Sequence, residues 1–298
     1  MLYHFELLSF MQIVNCPLSI VNYIIWNVDP EIVNIAGYAV RYYSFLFVGG
    51  LILAGWVLRQ MLSGTRLTTD YFNRFTLFAA LGVFVGARLG HCLFYEPAYY
   101  FRYPLEMLLP IGRGIDGAYH FIGYQGLASH GGVIGAIIAL LLCARTYRQD
   151  FIYTLDLVAV VAPLAGCFIR LANLMNSEII GSPTDVPWAF VFVREDMLPR
   201  HPAQFYEAVI YLMIFLFNRF FLYRRHKDMA GTGFFTGWTL LLVFVARFLI
   251  EFVKERQVAF EDGMTLDMGQ WLSVPFIAIG AGLIIWAIRK KKMMIRQL

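Results

Sequence analysis

The sequence predicts an all-α integral membrane protein with seven transmembrane helices, an N-terminal surface arm and an outward-facing loop region. Of its 298 residues, 59% are hydrophobic and only 15% are charged, and its mean hydropathy is +0.63, a balance typical of membrane proteins. The apolar residues form runs that are each long enough to cross about 30 Å of hydrocarbon at about 1.5 Å per residue. We therefore expect one polytopic membrane domain over residues 1–298.

The chain begins with a mixed segment that precedes the apolar runs. Residues 1–41 contain Pro17, Pro30 and several aromatic side chains, which favours an amphipathic arm lying on the membrane surface. The spans are expected at 42–62, 75–95, 125–143, 152–176, 204–222, 233–254 and 268–289.

The placement of basic residues predicts the topology. They collect at alternate connections and after the last span, where RKKK occupies 289–292. By the positive-inside rule these faces are cytoplasmic. The longer connections, 96–124, 177–203 and 255–267, then lie outside, with the N-terminus outside and the C-terminus inside.

Glycines recur at four-residue spacing in two neighbouring spans. Gly82, Gly86 and Gly90 lie in the second span, and Gly131 and Gly135 lie in the third. Such spacing flattens one face of a helix, so the pattern predicts close packing between helices more readily than a ligand site.

Cysteine usage and net charge argue against several classes of protein. Cys16, Cys92, Cys143 and Cys167 show no paired spacing, so neither a disulfide framework nor a zinc site is indicated. The net charge of +4 resides mostly in short loops and reflects topology, so we expect no nucleic-acid partner.

Four ionisable side chains interrupt the apolar runs at a similar depth. Counted from the outer end of each span, Arg88, His130, Arg170 and Arg247 are each about 8–11 Å below the surface, which predicts one polar layer in the outer half of the bilayer. Snorkelling to the headgroups is the alternative, but it explains one arginine more easily than three. Buried arginines with too few carboxylates nearby need an anion, and the planar guanidinium suits phosphate.

Individual residues in this layer have alternative interpretations. Arg170, Asn173 and Ser177 are expected on one helix face, with Glu178 just beyond the membrane exit. Arg247 has Glu251 four residues on, so this pair could be only structural. His130, in SHGGVIG, could be a general base or a hydrogen-bonded structural residue.

Two further stretches lie at the expected outer level. His201, Gln204 and Glu207, in LPRHPAQFYEA (198–208), surround the start of the fifth span, where a helix cap with an aromatic belt is the alternative to a site. Tyr42 and Tyr43 open the first span, and for Tyr42 an interfacial position is favoured.

Taken together, six motifs resemble those of the bacterial prolipoprotein diacylglyceryl transferase family. They are RYYSFLF (41–47), GARLGHCLFYEP (86–97), SHGGVIG (129–135), RLANLMNSEIIG (170–181), LPRHPAQFYE (198–207) and RFLIEF (247–252). The resemblance implies an enzyme of the bacterial cytoplasmic (inner) membrane with its active site facing the outer leaflet. It would transfer the diacylglyceryl group of phosphatidylglycerol to the lipobox cysteine in the signal peptide of a preprolipoprotein, releasing glycerol phosphate. It implies no cofactor, and membrane lipids as partners.

The resemblance, together with the depth argument, gives the candidate site residues. The catalytic candidates are His130, Arg170 and Arg247. The candidates for substrate binding are Tyr43, Arg88, Asn173, Glu178, Gly181, Arg200, His201 and Glu251. A tyrosine that some members carry four residues before the arginine of the sixth span is Val243 here.

The expected chemistry needs a thiol activator and a phosphate clamp. Arg170 and Arg247 are the predicted clamp. His130 either takes the proton of the substrate thiol, whose free pKa is about 8.5, or positions headgroup hydroxyls while an arginine lowers the thiol pKa.

Three other functions fit the sequence less well. An anion or lipid transporter would be expected to show repeat symmetry and interrupted helices. An intramembrane serine protease needs its serine and histidine to face each other, whereas Ser129 and His130 are adjacent. A noncatalytic scaffold would leave the buried arginines unexplained.

Overall fold

The computed structural model describes residues 12–14, 23–35, 38–63, 65–114, 117–121, 126, 128–256 and 265–296. The strands are β1 Gln12–Val14, β2 Tyr23–Trp26, β3 Glu31–Ile35, β4 Tyr38–Arg41, β5 Ile111–Arg113, β6 Tyr119–Phe121, β7 Phe190–Phe192 and β8 Pro199–Arg200. The α-helices are α1 Tyr42–Met61, α2 Thr69–Phe94, α3 Pro97–Arg102, α4 Pro104–Leu108, α5 Ser129–Thr146, α6 Phe151–Met175, α7 Ala203–Leu216, α8 Tyr223–Arg225, α9 Phe234–Glu251 and α10 Met268–Arg296. A π-helical stretch, Phe217–Leu222, joins α7 to α8.

The predicted fold class is confirmed, because the described chain is mostly helical and its long helices are apolar. Six of them are long and apolar enough to cross a membrane: Tyr42–Met61, Thr69–Phe94, Phe151–Met175, Ala203–Arg225, Phe234–Glu251 and Met268–Met293. The third predicted span corresponds to a shorter apolar helix, His130–Thr146.

Part of the predicted N-terminal arm forms strands. β3 and β4 make an antiparallel hairpin, while β2 pairs in parallel with β7 in a sheet of order β1-β2-β7-β8. Trp26 packs against Phe190 and Phe192 in a buried apolar cluster, and its indole N–H donates to the Leu174 carbonyl at 3.0 Å. The position of this region on a membrane surface stays a prediction.

The described residues fall into two compact units, one from 1–58 with 156–298 and one from 59–155. In the first unit, α6 and α9 are joined by Asp156, which is fully buried. Its carboxylate accepts the backbone N–H groups of Gly231, Gly233 and Thr236 at 2.9–3.0 Å. These donors lie at the start of α9, where helical N–H groups lack intrahelical partners. The carboxylate therefore fixes α9 to α6.

In the second unit, α2 packs against α5 through the predicted glycines. A Cβ on Gly90 would stand 2.7 Å from the Cα of Gly131, and a Cβ on Gly86 would stand 2.7 Å from the Cα of Gly135. No side chain fits at those separations, so the prediction of glycine-mediated packing is confirmed.

Candidate functional site

Three helices of the first unit bring together five charged side chains, which we call the charge network: Arg170 on α6, Glu207 on α7, Arg247 and Glu251 on α9, and Lys254 just after α9. Arg170 Nε lies 2.8 Å from Glu207 Oε2, and Lys254 Nζ lies 3.0 Å from Glu207 Oε1 and 3.1 Å from Glu251 Oε2. Glu207 is fully buried. The expectation that the buried arginines have too few carboxylates is therefore wrong for Arg170.

The negative charge of Glu207 compensates the positive charge of Arg170, but one carboxylate oxygen keeps unused hydrogen-bonding capacity. Although its Oε2 is close to Arg170, it accepts no hydrogen bond of good geometry from the residues that the structure describes. The contact is therefore mainly electrostatic. A buried carboxylate is tolerated only with such compensation.

Glu251 lies against Gly269 in the first turn of α10. A Cβ on Gly269 would overlap the Glu251 carboxylate. Glu251 contacts Lys254 directly and also lies within electrostatic range of Arg247.

Arg247 is half-buried and lies within electrostatic range of Tyr211 of α7. Arg170 and Arg247 line one cavity of about 250 Å³, with Ile179, Glu251 and Lys254 among the other residues of its wall. We call it the arginine cavity. The structure thus brings together the two arginines that the sequence analysis assigned to a phosphate clamp.

A turn after α6 joins Arg170 to Glu178 through an asparagine. Arg170 Nη1 donates to Asn173 Oδ1 at 3.4 Å, and Asn173 Nδ2 donates to Glu178 Oε2 at 3.2 Å. Asn176 Nδ2 donates to Glu178 Oε1 at 2.8 Å. Asn173 and Glu178 therefore lie beside Arg170, as predicted.

Ser177 does not extend the helical face of Arg170, contrary to expectation. α6 ends at Met175, and Ser177 and Ile179 have φ values of 57° and 58°. Left-handed backbone is strained for a β-branched residue such as isoleucine. The strain accompanies a sharp reversal that points Glu178 back toward Asn173.

Tyr43 is half-buried at the start of α1. Its ring stacks on Phe47, with the ring centroids 6.3 Å apart. Its hydroxyl is within electrostatic range of Glu178 and Arg170. The structure therefore brings Tyr43 to the same part of the first unit.

Gly181 and Arg200 hold loops together. Gly181 donates its N–H to the His201 carbonyl at 2.9 Å and accepts from Arg200 Nη1 at 3.1 Å, and a Cβ at this glycine would overlap His201. Arg200 also pairs with Asp196 and, at 3.0 Å, with Glu255. A direct contact of Arg200 with substrate would require these pairs to rearrange.

The ion pair between Arg200 and Asp196 shifts the pKa values of both side chains. The hydrogen bond from Arg200 holds the pKa of Asp196 below its ordinary value, and Asp196 in turn raises the pKa of Arg200. His201 Nδ1 lies 3.2 Å from the Tyr206 hydroxyl, and burial lowers the pKa of this imidazole.

In the second unit, Arg88 is held by backbone carbonyls. Its guanidinium donates to Glu106 O at 2.5 Å, to Met107 O at 3.2 Å and to Gly126 O at 3.4 Å, and it lies 4.9 Å from the centre of the Tyr100 ring. These contacts tie α2 to the connection that follows it, which is a structural role for Arg88.

His130 lies in the first turn of α5 and is exposed. Among the residues that the structure describes, its ring has no hydrogen-bond partner. The choice between a general base and a hydrogen-bonded structural residue stays a prediction for His130.

The three cysteines that the structure describes do not contribute to the charge network. Cys92, Cys143 and Cys167 are free and buried, and Cys16 lies outside the described residues.

Sequence reasoning missed the central positions of Glu207 and Lys254. The sequence left Glu207 open between a site and a helix cap, and Lys254 was only the last residue of the span expected at 233–254. A signal was present, since a carboxylate inside an apolar span indicates a functional or paired site by default.

Comparison with known proteins gives consistent matches along most of the chain. A family model described as prolipoprotein diacylglyceryl transferase matches residues 30–286. Relatives named phosphatidylglycerol–prolipoprotein diacylglyceryl transferase include one from Bacteroides fragilis, 47% identical over 266 residues, or 89% of this chain and 96% of that protein. One from Tolumonas auensis is 41% identical over 267 residues, covering 89% of this chain and 98% of that protein. One from Chloroherpeton thalassium is 37% identical, covering 91% and 97%.

Proposed function

The chain belongs to the prolipoprotein diacylglyceryl transferase family, and from that premise we propose that it transfers the diacylglyceryl group of phosphatidylglycerol to the lipobox cysteine of a preprolipoprotein. The protein is a multi-pass membrane transferase. In the reaction a thiolate sulfur bonds to a glyceryl carbon while the bond from that carbon to a phosphate oxygen breaks. The thiol proton passes to a base, and glycerol phosphate leaves with the bonding electrons.

One observation carries the assignment of roles: Arg170 and Arg247, on two different helices, line the same cavity. Negative charge develops on the phosphate oxygen as the carbon–oxygen bond breaks, and preorganised donors stabilise such charge most where water is scarce. Two guanidiniums can grip one phosphodiester from different sides. This geometry supports the phosphate clamp.

The remaining members of the charge network orient the clamp. Glu207 contacts Arg170 at Nε and Asn173 contacts it at Nη1. Lys254 holds Glu207 and Glu251 in turn. Arg170 is thus fixed before substrate arrives, which lowers the entropy cost of binding.

His130 is the candidate that takes the thiol proton, and its exposed position is consistent with that role. The alternative, in which His130 positions headgroup hydroxyls and an arginine lowers the thiol pKa, uses the same residue differently. Tyr43, Asn173, Glu178, His201 and Glu251 are proposed substrate-site residues, and Arg88, Gly181 and Arg200 are proposed to act by holding the surrounding loops.

The proposed location is the bacterial cytoplasmic (inner) membrane, with the site facing the outer leaflet. The basic residues on alternate connections and after the last span support this orientation.

The decisive experiment combines purified protein, phosphatidylglycerol and a peptide that contains a lipobox cysteine. Mass analysis should find the peptide increased by one diacylglyceryl group on the cysteine, with glycerol phosphate released in equal amount. A cysteine-to-serine peptide is the matched control. If the parent protein leaves the cysteine peptide unmodified in a lipid environment, the proposed function is wrong.

A further inference from the structure

The first unit contains another cavity besides the arginine cavity. It has a volume of about 660 Å³ and is bounded by residues 27–31, Arg41, Asn176, Glu178 and Arg194. We call it the hairpin cavity, because residues 31 and 41 begin and end the β3–β4 hairpin. Ligand sites are commonly about 300–1,000 Å³, so this space is large enough for a segment of a substrate.

The two cavities share the turn that follows α6. Glu178 lines the hairpin cavity and the next residue, Ile179, lines the arginine cavity. Ser177 and Ile179 on either side of Glu178 adopt left-handed φ values. Such strained conformations persist where the surrounding structure demands them. The strained turn is therefore the wall between the two spaces.

The chemistry of the hairpin cavity differs from that of the arginine cavity. Asp29, Glu31 and Glu178 supply three carboxylates to its lining, against two arginines. One of these, Arg41, lies 3.7 Å from Glu31 and is partly neutralised by it. This lining disfavours a second phosphate, and it favours a ligand that brings N–H donors or positive charge.

An unsatisfied acceptor supports the same conclusion. Asn176 contributes to the wall of the hairpin cavity, and its buried Oδ1 accepts no hydrogen bond from the described residues. Buried polar atoms are normally paired, and a rotation of the partly exposed Asn176 side chain would let a ligand N–H donate to this oxygen. An extended polypeptide supplies such donors regularly along its backbone.

We propose that the hairpin cavity binds the acceptor polypeptide, at the residues that follow the modified cysteine. The proposal rests on the function proposed above, in which the acceptor thiol must meet a phospholipid held at the arginine cavity. The polar chain beyond the cysteine passes along the other side of the Glu178–Ile179 wall. Basic side chains in that stretch are preferred to acidic ones.

The test compares two lipobox peptides that differ only after the cysteine, one carrying two lysines and the other two glutamates. The parent protein should show a KM about 2–5-fold lower for the lysine peptide, the size expected of partly exposed charge pairs, and the difference should shrink at high salt. Glu31→Lys should reverse the preference while leaving kcat and the KM for phosphatidylglycerol unchanged. Asp185→Lys is the matched control, since Asp185 is exposed and is not part of the cavity lining, and it should keep the parent preference.

A second variant and a second measurement keep the test decisive. Arg194→Glu, at an exposed position, should strengthen the preference for the lysine peptide. A photocrosslinker placed two residues after the cysteine should label residues 27–31 or 194. Equal KM values for both peptides in the parent, a Glu31→Lys effect no larger than that of Asp185→Lys, or crosslinks confined to other segments would each overturn the proposal. Failure of transfer to both peptides overturns the proposed function instead, and the crosslink still reports where the polypeptide binds.

Discussion

At the scale of single residues, the clearest feature is the way Arg170 is held. A buried carboxylate contacts it at Nε and an amide oxygen contacts it at Nη1, so its guanidinium plane is fixed by two side chains of the first unit. Lysine could supply the positive charge but not the planar arrangement of donors.

We therefore expect Arg170→Lys to lower turnover by about 10²–10³-fold, the effect of losing a donor that acts in the transition state. The measurement is the rate of transfer to the lipobox peptide, with thermal unfolding in detergent as a check on folding. Arg224→Lys, at an exposed position, is the matched control and should retain its rate. Parent-like activity of Arg170→Lys would show that charge alone matters there.

His130 tests the activation of the thiol. His130→Gln keeps a polar side chain of similar size but removes its basicity, so a general base at this position predicts a fall in kcat of about 10²–10⁴-fold. Phosphatidylglycerol binding should hardly change. His226→Gln serves as the control, because His226 packs on Phe234 and is not one of the candidate site residues. A weakened lipid KM with unchanged kcat would favour the alternative role of positioning headgroup hydroxyls.

Lys254 should be needed for stability because it compensates Glu207. Lys254→Met removes one of the two cations close to a fully buried carboxylate, and we expect the free energy of unfolding to fall by about 3 kcal/mol. Glu207→Gln in the same chain should restore part of the loss, so the two effects should depart from additivity by about 1 kcal/mol. Strictly additive effects would mean that the two side chains are energetically independent.

At the scale of helices, the glycines of α2 and α5 set the distance between the two helices. Gly86 leaves no space for a methyl group, whereas Gly55 in α1 has nothing within 4 Å of a Cβ position. The two glycines thus provide a matched comparison within apolar helices.

Gly86→Ala should cost about 1–3 kcal/mol of unfolding free energy through overpacking. Gly55→Ala should be neutral or slightly stabilising, because alanine has the higher helix propensity. Thermal unfolding of both variants in the same detergent provides the measurement. Equal stability of the two variants would contradict the close contact between α2 and α5.

The helices could be predicted from the sequence because their signal is local. Each of the seven apolar runs corresponds to a helix in the structure. Among the predicted first residues of these helices, the largest error is in α2, which begins at Thr69 rather than near 75. The strands could not be predicted in this way. β2 is four residues long and pairs with β7 more than 160 residues later, so its partner is set by tertiary packing rather than by local alternation.

In the candidate site, too, contacts between residues close in sequence could be predicted, whereas contacts between different helices could not. Arg170, Asn173 and Glu178 were identified because they are close in sequence, and the structure brings them together. The pairing of Arg170 with Glu207 joins α6 to α7, and it depends on how the helices pack. Sequence spacing carries no direct record of that contact.

At the scale of the whole molecule, the orientation of the chain across the membrane is a prediction that reporter fusions can test. A reporter fused after Lys292 should report a cytoplasmic location, because basic residues at 289–292 are retained on that side. A second reporter inserted within 96–124 should report the opposite side. An external location for the C-terminal fusion would overturn the orientation and, with it, the placement of the proposed site in the outer leaflet.

The composition of the charge network also bears on turnover. Its three cationic and two anionic groups leave a single excess positive charge. A phosphodiester carries one negative charge and would neutralise that excess, whereas a phosphate monoester carries about 1.5 to 2 at pH 7. Glycerol phosphate formed beside Arg170 would thus leave the site with surplus negative charge next to Glu207 and Glu251. On the charge balance of these five side chains, product departure would be favoured electrostatically at the moment of transfer.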